Sequence, residues 1–230
     1  MMRVLLSLLA LAAGPSSGGF VEDFEHDMRI GQGGRWALAQ QINGRVRLVP
    51  APARSGRALL ATAGPKRGET VAKADLVARV ATMPAGTQLS IAFDLRIPAA
   101  SPRDSLQLVD VECAICGESG NPGIRLYLRR GRLRIDRAKI GIRHAWTRDD
   151  APVLAPDRWH RITWQLRLDP GEAGAARVLL DGREVLAARG ATLADTPRIG
   201  ADRVQIGITA NSNAVPAMAW FDNIAVTVRR

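Results

Sequence analysis

The sequence predicts an all-β fold, a jelly-roll sandwich of two antiparallel sheets. Strand-like segments recur about every ten residues with turn signals between them. No stretch carries the repeat of a long amphipathic helix. Two-residue turn signals, Arg130-Gly131 and Asp181-Gly182, sit inside alternating segments, as hairpin turns do.

The chain has 230 residues, enough for one domain with a full core. Met1-Met2-Arg3 is a short basic stretch, and Val4 to Ala13 is apolar but too short to span a bilayer. Small residues follow as far as Gly19. That is the pattern of a secretory signal peptide, with cleavage between residues 12 and 19. Residues 1–19 are therefore expected to be removed and residues 20–230 to form a single domain. No cysteine near the cut offers a lipid anchor, and no later apolar run is long enough for a membrane helix. The expected location is the periplasm or the extracellular space.

The formal net charge is +10, carried almost wholly by arginine, since the only lysines are Lys66, Lys73 and Lys139. An acidic partner fits that balance. The basic residues are spread along the chain, and no helix-turn-helix, zinc finger or aromatic RNA-binding signature accompanies them, so nucleic acid is not the expected partner.

In chain order, Phe20 to Glu25 reads as a short strand with acidic outer positions. Trp36 to Ala39 and Val46 to Val49 follow, parted by Asn43-Gly44. Arg57 to Ala61 is the next strand. Val71 to Val80 has a composition that also suits a helix, but its surroundings make it a strand. In Gln88 to Ile97, Leu89, Ile91, Phe93, Leu95 and Ile97 share one face.

Ser105 to Asp136 is the most informative stretch. Ile124, Leu126 and Leu128 alternate with Arg125, Tyr127 and Arg129. After the Arg130-Gly131 turn, Leu133 and Ile135 alternate with Arg132, Arg134 and Asp136. A two-residue turn sets Arg129 opposite Arg132, Tyr127 opposite Arg134 and Arg125 opposite Asp136. The outer face is then a row of guanidinium groups around the only tyrosine of the chain. Such a row grips carboxylates or sulfates and offers a ring for stacking, and it equally fits a plain solvated strand face. Gln107, ahead of the hairpin, joins Arg125, Arg129, Arg132 and Arg134 as a substrate-binding candidate.

Cys113 and Cys116 are the only cysteines. In an exported chain their spacing beside a loop predicts a disulfide. A redox pair would need a helix after them, and a metal site would need further ligands.

Lys139 to Pro156 is irregular and reads as a long loop carrying His144 and Trp146. Trp159 to Leu168 alternates with Ile162, Trp164 and Leu166 inward, and His160 shares their parity, the position of a core-edge histidine. Arg177 to Leu186 is a hairpin. Arg203 to Thr209 and Met218 to Val228 close the chain.

Several short segments, in order, resemble the concanavalin A-like lectin/glucanase superfamily, and within it secreted polysaccharide lyases of the heparin lyase I and glucuronan lyase type. They are Val21-Glu22-Asp23-Phe24-Glu25, Ser55-Gly56-Arg57-Ala58-Leu59, Lys73-Ala74-Asp75-Leu76, Trp159-His160-Arg161, Gln205-Ile206-Gly207-Ile208 and Phe221-Asp222-Asn223-Ile224. The resemblance implies binding of acidic uronate polysaccharide and its cleavage by β-elimination. That chemistry needs a cation at the C5 carboxylate, a base for the C5 proton and an acid for the leaving oxygen. Arg125, Arg134 and Lys73 are the cation candidates, His144 or His160 the base, and Tyr127 the acid. The family's late Gly-Ile-Tyr element reads Gly207-Ile208-Thr209 here, and threonine is a far poorer proton donor. The same superfamily holds glycosidases with paired acids on one strand. Asp110 and Glu112 keep part of that pattern, but they share parity with Leu106 and Leu108, so only a bulge would bring them to a wet face. A non-catalytic lectin-like module and an envelope structural protein are the alternative readings.

The resemblance also places the first and last strands side by side, with a structural calcium between them. Asp222 shares parity with Trp220, Ile224, Val226 and Val228, and a carboxylate on that face needs a partner. Glu22, Asp23 and Glu25 on the opening strand complete the candidate calcium set. The competing partner for Asp222 is an arginine or a local amide. No organic cofactor is expected, and oligomeric state is left open.

Overall fold

The structure is a computed structural model that describes residues 17–116, 120–198 and 200–230. Fourteen strands form two antiparallel sheets, with one short 3-10 helix, Ala138–Ile140, among the described residues. The strands are β1 (Ser17–Glu22), β2 (Leu38–Ile42), β3 (Gly44–Pro50), β4 (Arg57–Ala63), β5 (Ala72–Met83), β6 (Gln88–Arg96) and β7 (Leu106–Glu112). They continue as β8 (Gly123–Arg129), β9 (Arg132–Asp136), β10 (Trp159–Arg167), β11 (Ala175–Leu180), β12 (Arg183–Arg189), β13 (Ala201–Asn211) and β14 (Ala217–Arg229).

One sheet runs β12-β11-β10-β6-β14-β4-β3, with β1 also pairing with β14. The other runs β2-β5-β13-β7-β8-β9. Both use the same principle. Alternate residues are apolar and meet in one core, such as Leu89, Ile91, Phe93 and Leu95 of β6 against Leu76, Ile206 and Leu126 of the facing sheet.

The segment from 71 to 80 is strand, as its surroundings predict. Its helix-compatible residues Ala72, Ala74, Leu76 and Ala78 all point into the core. The two hairpins form as expected. Arg130 and Gly131 take φ of 52° and 72°, and Asp181 and Gly182 take 52° and 80°, the positive pair that a type I′ turn requires. Asn43-Gly44 is different. It joins β2 in one sheet to β3 in the other, so the expected turn is a crossover between layers and no hairpin forms there.

Residues 1–16, most of the expected signal sequence, lie outside the described residues. Ser17, Gly18 and Gly19, counted with that signal, instead open β1, where Ser17 pairs with Arg229 and Gly19 with Thr227. Among the described residues no helix is long and apolar enough to cross a membrane.

Candidate functional site

The outer face of the six-stranded sheet gathers the charged chemistry. On β5, Lys73, Asp75 and Val77 alternate with the core residues Ala74, Leu76 and Ala78. On β13, Arg203, Gln205, Gly207 and Thr209 alternate with Val204, Ile206 and Ile208. On β7 the alternation breaks: the register shifts between Gln107 and Val109, and both Leu108 and Val109 pack in the core. This is the bulge that strict parity required before Asp110 and Glu112 could reach the outer face. It puts Gln107, Asp110 and Glu112 on one face, although two apolar residues in succession separate the first from the second.

Gly207 stands across from Asp75 with φ of 136°. A Cβ there would meet the Ala74 carbonyl oxygen at 2.5 Å and the Asp75 Cα at 2.7 Å, so only glycine lets the strands close over this carboxyl.

Three acids sit beneath the surface of this face. Asp75 is 0% exposed, and neither carboxyl oxygen has a hydrogen-bond partner. Burial pushes its pKa to about 8, against the opposing pull of Lys73, with Asp110 adding to the rise. Asp110 is 2% exposed, and burial followed by the charge of Glu112 raises it to about 6. The Thr209 hydroxyl donates to Asp110 Oδ1 at 2.7 Å and holds that rise in check. Glu112 is paired with Lys139, takes a hydrogen bond from the Gln205 amide and lies 3.7 Å from Arg203. Asp110 and Glu112 are thus fixed in a network that orders Gln205, Thr209 and Lys139, Asp75 stands outside it without a partner, and none of the three projects into solvent.

Beside these acids in the sheet, Gln107, Tyr127 and Arg134 are consecutive cross-strand partners on β7, β8 and β9. All three are partly exposed. Burial raises the Tyr127 pKa, while the Arg134 charge and hydrogen bond oppose the rise, so the phenol is protonated at neutral pH. The hairpin register is the expected one, with Arg125 against Asp136 and Arg129 against Arg132.

The guanidinium row is largely engaged. Arg125 pairs with Asp136 at 3.3 Å, Arg134 with Asp149 at 2.9 Å, and Arg132 Nε donates to the Ala151 carbonyl at 2.8 Å. Only Arg129 in that row has neither an ion pair nor a side-chain hydrogen bond among the described residues. The loop after Trp146 therefore borders the face: Leu154 N donates to Gly131 O, and Trp146 bridges to Ile135.

Of the three catalytic candidates, Lys73 stands apart from Tyr127. Lys73 lies on β5, three strand positions from Tyr127 on β8, about 14 Å at the usual strand spacing, and donates to Gln40 at 3.3 Å. His144 is exposed on the segment beyond β9, and its carbonyl accepts from Arg137. His160 is inward and 4% exposed, held between Asp181 at 2.8 Å and the Ala155 carbonyl at 3.0 Å, a structural histidine.

The proposed calcium carboxylates are dispersed as well. β1 does pair with β14, with Glu22 opposite Ile224. Glu22 accepts from the Trp36 indole and lies near Arg35. Asp23 accepts from the Glu25 amide, and Glu25 in turn accepts from the Arg57 amide. Asp222 is not on the inward face its spacing suggested. The register shifts between Asp222 and Ala225, and Asn223 has a φ of 47°. Trp220 and Asp222 therefore face outward while Ile224, Val226 and Val228 face inward. There Asp222 is covered by Arg54, which also binds Asp94 at 2.9 Å and stacks 3.6 Å over Trp159. Arginine and a local amide are both partners, since the Asn223 amide also donates to Asp222 Oδ1 at 2.7 Å. Among the described residues no group of three or more His, Cys, Asp or Glu side chains is placed to hold a metal.

Cys113 and Cys116 are disulfide-bonded, with Cα atoms 5.5 Å apart. The Cys113 amide donates to the Pro122 carbonyl and closes the loop between β7 and β8.

Parity could have found Gln205 and Arg203, which share the outward set of β13 with Thr209. Nothing local announced Lys139, whose partner Glu112 is 27 residues away.

Two antiparallel sheets, one bearing an ordered polar face, make this an all-β jelly-roll sandwich. The polysaccharide lyase family model matches residues 28–225, and the chain belongs to that family. The endo-β-1,4-glucuronan lyase of the fungus Trichoderma reesei superposes with a TM-score of 0.69 at 18% identity, over 90% of this chain and 94% of that one. The cellulose-induced protein Cip1 superposes at 0.61 and 17% identity, over 90% and 96%. The Chlorella virus alginate lyase vAL-1 superposes at 0.54 and 10% identity, over 84% and 92%. At these identities the likeness is one of fold. No curated protein sequence matches significantly.

Proposed function

We propose that this protein is exported and acts on an acidic, uronate-containing polysaccharide across the outer face of the six-stranded sheet, cleaving it by β-elimination. The observation that carries the reading is the file Gln107, Tyr127, Arg134 on three adjacent strands, on the same face as the buried acids Asp110 and Glu112. β-Elimination removes the C5 proton, expels the 4-oxygen and leaves a double bond conjugated with the carboxylate. Arg134 is assigned to the carboxylate, whose charge must be neutralised before C5 can lose a proton. Tyr127, kept protonated, is assigned to the leaving oxygen. Lys73, farther along the face, is assigned to a neighbouring uronate.

A second reading, binding without cleavage, is favoured by Thr209. It stands where the resembling lyases carry a tyrosine, it is 0% exposed, and its hydroxyl is committed to Asp110. Incubation with polyglucuronate and alginate separates the two. Rising ultraviolet absorbance from the unsaturated product supports the lyase, and retention without product supports the binding module. Neither signal with any uronate polymer overturns both. Under the lyase reading Tyr127→Phe should remove product and keep retention. His144→Ala, tested the same way, decides whether that imidazole takes the C5 proton.

A further inference from the structure

The eight-stranded sheet has an open face of its own, turned away from the site above. Near one end of it lies a groove of about 850 Å³. The strand registers lay a row of side chains across its mouth. Arg229 of β14 is opposite Gln88 of β6, Gln88 opposite Arg167 of β10, Arg167 opposite Ala175 of β11, and Ala175 opposite Arg189 of β12. That row crosses five strands, about 19 Å at the usual spacing. Alongside it, Thr227, Ser90 and Gln165 form a second row of hydroxyls and an amide.

Three features set this groove apart from an ordinary solvated face. First, Arg167, Arg189 and Arg229 are exposed, and none of the three has an ion pair or a side-chain hydrogen bond among the described residues. Their neighbour Arg177 is different, being paired with Glu184. Second, the floor is built from Ala175, Ala187, Ser90 and Thr227, so small side chains leave a trough between long ones. Third, the cations are strung along a line across the strands, not gathered at a point. A linear polyanion lying across the strands meets all three.

We infer that this trough is a second binding site, for an acidic polysaccharide chain, on the sheet opposite the lyase face. Guanidinium forks match carboxylates or sulfates bidentately, and the amides and hydroxyls between them match sugar hydroxyls. A single-stranded nucleic acid would be gripped through base stacking, and no aromatic side chain lines the trough. The choice of polysaccharide rests on the proposed function; the anionic character of the ligand does not. A site here would hold the polymer to the protein without occupying the face where it is cut.

The test is affinity electrophoresis of the whole protein in gels containing polyglucuronate, with gels containing a polynucleotide alongside. Wild type, Arg167→Ala/Arg189→Ala/Arg229→Ala, the single Arg167→Glu and Arg134→Ala are compared, each after its melting temperature is shown to match wild type. The triple variant should be retained about tenfold less than wild type, with Arg167→Glu in the same direction. Its retention should also respond less to added salt, because fewer counterions are released. Combining the triple variant with Arg134→Ala should multiply the two losses. Retention of the triple variant equal to wild type overturns the second site, whatever Arg134→Ala does. Retention lost on Arg134→Ala alone, with the triple variant unchanged, overturns it while leaving the proposed function standing. Loss of retention in the triple variant, with Arg134→Ala unchanged, supports the trough and counts against the lyase face. Stronger retention of wild type by the polynucleotide than by polyglucuronate overturns the assignment to polysaccharide.

Discussion

The hydroxyl of Thr209 on β13 donates to Asp110 Oδ1 on β7 across 2.7 Å, and both side chains are sealed from solvent. At the position where the resembling lyases carry a tyrosine, this chain has spent its hydroxyl on a buried carboxyl. Thr209→Val keeps the shape and removes the donor. It should destabilise the fold by about 1–3 kcal/mol, the cost of a buried group left without its partner. It should also move the Asp110 pKa further up, since the hydrogen bond from Thr209 lowers it. Urea denaturation and carboxyl-resolved NMR titration read the two effects.

Asp75 makes stability depend on pH. An aspartate titrates near 3.8 when unperturbed, and here it does so at about 8. Between those values the folded chain keeps a proton that the unfolded chain has released. The contribution is fully present below pH 3.8 and is lost as pH rises through 8, with a slope approaching about 1.4 kcal/mol per pH unit. Unfolding free energies measured from pH 4 to pH 9 should fall along this course, and Asp75→Asn should flatten it.

Arg134 stands beside Tyr127 and is held by Asp149, itself mostly exposed. Arg134→Ala should weaken binding of a uronate polymer by about 1–3 kcal/mol, the scale of a charged hydrogen bond. The melting temperature should barely move, because an ion pair with an exposed partner contributes little. Titration calorimetry and thermal melts check the pair of outcomes.

The Cys113–Cys116 bridge closes a very short loop. Thiol titration of denatured, unreduced exported protein should find no free thiol. Reduction should lower stability by about 2 kcal/mol, the small entropic gain that so short a loop allows.

The start of β1 bears on processing. Gly19 packs so closely on β14 that a Cβ would meet the Val226 carbonyl oxygen at 2.0 Å, and Ser17 and Gly18 pair on beyond it. A cut at Gly19 would discard the first part of this strand, whereas a cut after Ala12 leaves it whole. Under the proposed export, mass spectrometry of the secreted chain should place its first residue before Ser17.

Period-two alternation by itself determined a great deal about this protein. The two-sheet sandwich, the Arg130-Gly131 and Asp181-Gly182 hairpins, and the pairing of Tyr127 with Arg134 all follow from a local rule: successive side chains point to opposite faces, and a two-residue turn sets the register. The nearness of Cys113 and Cys116 in the chain made their bridge legible too. What only the tertiary structure decided lies where that rule breaks or where partners are remote. The shift after Gln107 brings Asp110 and Glu112 onto the polar face, and the shift after Asp222 turns it outward, to Arg54. A bulge adds one residue and inverts all parity beyond it, and the residues around it give no local sign of the added one. Lys139 on Glu112 and Asp149 on Arg134 are likewise products of how a loop lies against a sheet. So is the trough of Arg167, Arg189 and Arg229: β10, β11 and β12 follow one another in the chain, but β14 comes beside them only across β6.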